Sequence, residues 1–95
     1  MQEENLSNLE KKEYAKFKAI LDENYIWPTE FPFKFIIMPH QIDQLKKILN
    51  DADVVLRPSK NGKYVSVSTD MKISSSDEIV YIYEKVRSIE GIIAL

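Results

Sequence analysis

Apolar residues recur along this chain with two periods, one helical and one alternating, and the switches between them mark out the elements. Leu6, Leu9, Tyr14, Phe17, Ile20 and Leu21 return at roughly helical spacing. Ser7-Asn8-Leu9-Glu10 precedes most of them with the S-x-x-E spacing of a capping box. A helix is predicted from about Ser7 to Asn24, ending before Trp27-Pro28, because a proline biases the residue ahead of it away from the α region. Phe31, Phe33, Phe35 and Ile37 then alternate with Pro32, Lys34, Ile36 and Met38. Ile36 and Met38 make the second face apolar as well, so this reads as a central strand.

Pro39 suits the first turn of a second helix, whose stripe is Ile42, Leu45, Ile48 and Leu49, through to Asn50. Val54-Val55-Leu56 opens a second strand. Tyr64 to Ile73 forms a third, with Val65, Val67, Thr69, Met71 and Ile73 on one face and Tyr64, Ser66, Ser68, Asp70 and Lys72 on the other. Ser75-Ser76-Asp77-Glu78 is a second capping box, followed by Ile79, Ile82, Tyr83, Val86 and Ile89 on one helical face. Gly91 is placed to end that helix at the position after its cap, and Ile92-Ile93-Ala94-Leu95 reads as a short last strand.

After the first helix the order is β-α-β-β-α-β. Its economical packing is α+β and ferredoxin-like: a four-stranded antiparallel sheet in strand order 4-1-3-2, with both later helices on one face. That order makes the first and third strands central, and they are the most apolar. It makes the second an edge, where Pro58 is tolerable. The division is an N-terminal helical extension at residues 1–26 and one domain at residues 27–95. The extension's apolar stripe is expected to cover part of the other face of the sheet through Phe17, Leu21 or Trp27, in the monomer or in a dimer partner, the alternative being a partner-binding stripe. Asn61-Gly62 marks the turn between strands two and three. A four-residue loop from Lys60 to Lys63 is preferred to a two-residue one, because it points the Pro58 nitrogen away from the ladder.

Composition narrows the function classes. A chain of 95 residues, 44% hydrophobic and 29% charged, is an ordinary globular domain. A net charge of -2 offers no global attraction to nucleic acid or anionic lipid. With no cysteine, thiol catalysis and cysteine-ligated zinc are excluded. The N-terminus, Met1-Gln2-Glu3-Glu4, lacks the apolar run of a signal peptide, and the longest apolar stretch, Phe35-Ile36-Ile37-Met38, is too short to span a bilayer. A cytoplasmic location with no membrane partner is the expectation.

Two stretches carry a likeness to a known family: Phe31-Pro32-Phe33-Lys34-Phe35, and Arg57-Pro58-Ser59-Lys60-Asn61-Gly62-Lys63-Tyr64-Val65-Ser66-Val67. In them the chain resembles the YbeD-like family of small bacterial proteins of unknown function, over roughly residues 27–95. The resemblance implies a ferredoxin-like fold similar to the ACT-type regulatory domains, and with it a regulatory or binding role. It carries over no catalytic residue. Where ACT domains usually place a glycine after the first strand, this chain has Met38-Pro39-His40-Gln41.

The chemistry-bearing residues are few. His40, the only histidine, sits at a helix start with only Asp43 at ligand spacing, too little for zinc. Asp51 with Asp53 reads as turn chemistry, and Asp77 with Glu78 as a helix first turn, rather than as acid–base pairs. There is no nucleophile–base pair and, with only Gly62 and Gly91, no glycine-rich phosphate loop. The expectation is therefore no enzyme, no metal and no cofactor. Arg57, Lys60 and Lys63 cluster at the hairpin with Ser59, Tyr64 and Ser66, and Lys34 is expected nearby. The bland reading is edge protection by charge and proline. The sharper one is a ligand or partner site at those six residues. The function expected is that of a non-enzymatic regulatory or adaptor module that binds a protein partner or small ligand, with a homodimer allowed. The alternative is single-stranded RNA binding on the open sheet face, which has only Tyr64 as a stacking platform.

Overall fold

The computed structural model describes residues 2–95, with side chains from residue 12 onward. Helix α1 spans Gln2–Asn24 and β1 spans Thr29–Ile37. A 3-10 turn at Pro39–Gln41 leads into α2 (Ile42–Ile48), then β2 (Val55–Pro58), β3 (Val65–Ile73), α3 (Ser76–Val86) and β4 (Ile93–Ala94). The strands form one sheet in the order β2-β3-β1-β4, every neighbouring pair antiparallel. This is the expected ferredoxin-like arrangement, read from the opposite edge. Among the described residues no helix is long and apolar enough to cross a membrane.

Strand alternation sorts the two faces. Phe31, Phe33, Phe35 and Ile37 of β1 stand beside Val65, Val67, Thr69 and Ile73 of β3, all buried. Leu45 and Leu49, with Ile79, Ile82, Val86 and Ile89, close over them in one core, so α2 and α3 lie on the same side of the sheet. Tyr83 is the hinge of this packing: its half-buried ring meets Phe33 at 5.7 Å and Phe35 at 6.0 Å. Burial pushes its phenol above the usual tyrosine range, with Tyr25 adding to the shift.

Helix α1 corrects an expectation. It does not cover the other face. Phe17 meets Tyr83 edge-on at 5.6 Å, Leu21 is buried in the common core, and Tyr25 packs against Phe31 at 5.5 Å. Trp27 stacks on Tyr25 and donates its indole N–H to Asp22 at 2.9 Å. All of these partners lie on the helical side. The apolar stripe of α1 found more surface beside α3, where aromatic rings were available, than on a strand face rich in serine.

Several boundaries also differ. Helix α1 begins upstream of Ser7, so Ser7 is interior and not a cap; the side chains of that expected capping box lie outside the described ones. Helix α2 stops at Ile48, two residues before the predicted Asn50, in a Schellman motif. Asp51 N–H donates to the Lys46 carbonyl at 2.8 Å and Asn50 N–H to that of Lys47 at 3.1 Å, with Asn50 at φ 56°. Helix α3 ends at Val86, because Ser88 donates both its N–H and its hydroxyl to the Lys85 carbonyl and tightens the last turn. Gly91, at φ 76°, instead occupies the turn that Ile92 N–H closes onto the Ile89 carbonyl. The second capping box forms only in part. Glu78 reaches the N–H of Ser74 at 2.8 Å, while the Ser75 side chain makes no cap bond.

Candidate functional site

The face of the sheet away from the helices carries the second side chain of every strand. Register aligns four of them in a row that crosses all four strands. Arg57 stands opposite Ser66, Ser66 opposite Ile36, and Ile36 opposite Ile93. Cross-strand partners share a face. Their chain neighbours Val65, Val67, Phe35 and Ile37 are buried in the core, which fixes this row on the open side. The row thus runs from a guanidinium on one edge, through a hydroxyl, to two isoleucines at the other edge. Ile93 is 50% exposed.

A rim rises along one side of the row. The β2–β3 hairpin closes through Ser59 N–H to the Tyr64 carbonyl at 2.8 Å, and Gly62 N–H turns back to the Ser59 carbonyl at 2.9 Å. Lys60 to Lys63 is therefore the loop, the wider of the two choices. Ser59 and Tyr64 form the hydrogen-bonded pair, so the adjacent Pro58–Val65 pair is non-hydrogen-bonded and the proline nitrogen faces outward. The loop is braced by its own polar atoms. Asn61 Oδ1 accepts from Lys63 N–H at 3.0 Å and from the Ser59 hydroxyl at 3.1 Å, and Ser59 Oγ accepts from Tyr64 N–H at 3.0 Å. Tyr64, 42% exposed, is held upright with the Lys63 ammonium 5.6 Å from its ring centroid.

At the far end the rim is Gly91. Gln41, a buried polar side chain, places it. Its Nε2 donates to the Glu90 carbonyl at 2.8 Å and its Oε1 accepts from Met38 N–H at 2.9 Å. One side chain thereby ties the end of β1 to the turn before β4. No atom lies within 4 Å of a Cβ built on Gly91, so that end stays open.

Row and rim enclose a cleft of about 580 Å³, mostly apolar, floored by Ile36 and Ile93 and walled by Arg57, Pro58 and Tyr64. That size is in the range of small-molecule sites. Of the residues singled out from sequence, Arg57, Ser59, Tyr64 and Ser66 line it. Lys60 and Lys63 do not; they sit in the hairpin loop above the rim. Lys34 lies one row away, opposite Ser68, in a separate depression with Asp53 and Asp70. Ile36, Ile93 and Gly91 were missed as site residues. The signal was there for Ile36, an apolar residue on the face opposite the phenylalanines. None existed for Ile93 or Gly91, which reach the cleft only through the pairing of β4 with β1.

The remaining candidates have structural work. His40 is exposed in the 3-10 turn, and among the described residues no three metal-ligating side chains converge. Asp51 sits in the Schellman turn, and the Asp53 carbonyl accepts from the buried Thr69 hydroxyl at 2.6 Å. Asp77 pairs with Lys18 of α1 at 3.5 Å, and Glu78 holds the start of α3. Hydrogen bonds from Ser76 and Trp27, together with Lys18, hold the Asp22 carboxyl below the usual carboxylate range.

Comparison with known proteins bears on the whole of this domain. The model of DUF493, a family described as protein of unknown function and YbeD-like, matches residues 22–95. It takes in every strand and the entire cleft, and begins within the last turn of α1. Among solved structures, the solution structure of protein HP0495 from H. pylori superposes with a TM-score of 0.61 at 23% identity, covering 75% of this chain and 85% of that one. At that identity the likeness speaks to the fold. No curated protein matches the chain.

Proposed function

The chain belongs to the DUF493 family of proteins of unknown function, and from that premise we propose that it is a non-enzymatic regulatory or adaptor module that takes a small ligand on the open face of its sheet. The observation that carries this reading is the cleft itself. It is a mostly apolar cavity of about 580 Å³ on a face that none of the three helices covers, with one guanidinium at its edge. Apolar walls with a few convergent polar groups are the usual make-up of a ligand site. Edge protection alone explains Arg57 and Pro58 but not a half-buried Ile36 with Tyr64 and Ile93 exposed around one hollow.

The test is amide-shift mapping by NMR while a small-molecule extract is titrated into the wild type and into the Arg57→Ala/Lys63→Ala double variant. Shifts gathered at residues 36, 57–59, 64–66 and 91–93, and weakened in the double variant, are expected. Shifts confined to the groove between α2 and α3, around Lys47, Tyr81 and Lys85, would overturn the reading.

A second reading, single-stranded RNA on the same face, has one observation in its favour: Tyr64 stands exposed beside Lys63. Sheet-face RNA binding draws on several outward aromatics. The row beneath Tyr64 offers a serine and two isoleucines instead.

A further inference from the structure

Resting on the open-face reading above, we propose that the ligand is an amphipathic oxyanion that lies across the strands, with its charged head on Arg57 and its apolar body over Ile36 and Ile93. The order of chemistry along the row sets this orientation. Arg57 on β2, Ser66 on β3, Ile36 on β1 and Ile93 on β4 follow one another at successive strand positions. Neighbouring strands are about 4.8 Å apart, so the row separates the Arg57 and Ile93 backbones by roughly 14 Å. A ligand that satisfies both ends therefore has its charge at one terminus and its hydrophobic surface several carbon atoms away.

Three further observations select the head and its place. Arg57 is exposed, and no ion pair among the described residues engages it. A guanidinium presents a planar fork that matches two oxygens of a carboxylate or phosphate. The neighbouring depression carries two carboxylates, Asp53 and Asp70, against the one ammonium of Lys34, so its balance is acidic and favours the Arg57 end for an anionic head. The Ser66 hydroxyl stands next in line as a hydrogen-bond donor. Beyond it nothing polar interrupts the floor, and Gly91 leaves the tail's exit clear.

The experiment uses straight-chain carboxylates from about two to about ten carbons, a series that brackets the roughly 14 Å row. The matching alkyl phosphates and alcohols form parallel arms, and binding is read by amide shifts in the full chain. Acids should bind tighter with each methylene, about two- to fourfold per step, until the tail covers Ile93 and the gain stops. Arg57→Ala should weaken the acids about tenfold or more and leave the alcohols unchanged. Arg57→Lys keeps the charge but loses the fork, so it should weaken them more than Lys60→Arg, which lies outside the cleft. Ile93→Ser should flatten the dependence on chain length. Thermal melts of each variant confirm that the fold is kept. The phosphate arm identifies which oxyanion the head is.

Equal affinity for acids and alcohols, or no dependence on length, would overturn the proposed ligand class, and shifts still confined to the cleft would leave open-face binding standing. No shift with any probe would also overturn the class, and the extract titration then decides the broader reading by itself. A short pyrimidine oligonucleotide that shifts Tyr64 while the acids do nothing would replace this proposal with the RNA one.

Discussion

The two faces of this sheet are made by the same two central strands and differ in almost everything else. On one side, β1 contributes four consecutive alternate residues, Phe31, Phe33, Phe35 and Ile37, and three helices bury them. On the other, the residues between them are Pro32, Lys34 and Ile36, and among the described residues no helix packs over them. An antiparallel sheet commonly leaves one face to solvent, and its strands then read as apolar-in, polar-out. Here the outward face is polar over most of its extent, with Val55 exposed singly on β2 opposite Ser68, and it turns apolar over two neighbouring strands only in the corner where β4 pairs with β1. A departure from that pattern without a packing partner is the part of the fold that folding does not explain. It is also where the cleft lies.

The largest expected effect tests the covered face. Phe35 is fully buried and stacks with Phe33 and Tyr83. Phe35→Ala should cost about 3–5 kcal/mol in chemical denaturation. A loss below about 1 kcal/mol would mean that the aromatic row is not the core of this domain.

Next comes the one side chain that joins the two faces. Gln41 is buried on the helical side, yet it sets the position of the Glu90-Gly91 turn at the cleft's end. Gln41→Leu keeps the bulk and strands the Met38 N–H and the Glu90 carbonyl. It should cost roughly 2 kcal/mol. Amide shifts at residues 90–93 should accompany the loss while β2 stays unperturbed. Stability lost without movement in that turn would separate the core from the cleft.

How much of this was legible in the sequence follows from range. Helices α2 and α3, the sheet order and the facing of β1 and β3 rest on local periodicity, and they were readable. The hairpin register was readable too, because Pro58 and Asn61-Gly62 constrain it within twelve residues. The seat of α1 was not. Its stripe is apolar whichever surface it meets, and the choice between sheet face and α3 was decided by Tyr83, a residue some sixty positions away whose ring offers Phe17 an edge. The cleft was half legible. Arg57, Ser59, Tyr64 and Ser66 are neighbours in the chain and stood out as a cluster. Ile36, Gly91 and Ile93 join them only through strand pairing, which no local pattern encodes. Lys60 and Lys63 joined that cluster in the sequence but lie in the hairpin loop and do not line the cleft, because charge on a loop looks the same whether or not it borders a hollow.

The position of α1 gives the next test. Phe17→Ala removes its contact with Tyr83 from a half-buried site, for a loss of about 1–2 kcal/mol. Chemical shifts should change at Tyr83 and not at Ser66. Changes at Ser66 would return α1 to the open face.

Acid should act on the same joint. The Asp22 carboxyl is held low chiefly by the Ser76 hydroxyl, then by Trp27 and Lys18. A carboxylate with a lowered pKa stabilises the fold above its unfolded pKa, and that contribution is lost as pH falls through the lowered value. Fluorescence of Trp27, the only tryptophan, should therefore report loosening of the α1 joint at acid pH. In Asp22→Asn this acid-dependent step should vanish. An identical acid profile in that variant would assign the step to another carboxylate.

The smallest effect is the most informative about the open face. Ile93 is 50% exposed, on a two-residue edge strand, with its side chain directed away from the core. Ile93→Ser should cost no more than about 1 kcal/mol, because half of the side chain already stands in water. If the isoleucines of the open face served folding, the loss would instead approach that of a buried aliphatic residue, about 2 kcal/mol or more. The two outcomes give opposite accounts of the apolar corner. A large loss makes Ile93 part of a second, smaller core that completes the pairing of β4 with β1. A negligible loss leaves a costly feature, apolar surface held against water, with no return in stability. A residue that stability does not require, set in line with Ser66 and Arg57 by the register of four strands, is then accounted for by what binds there.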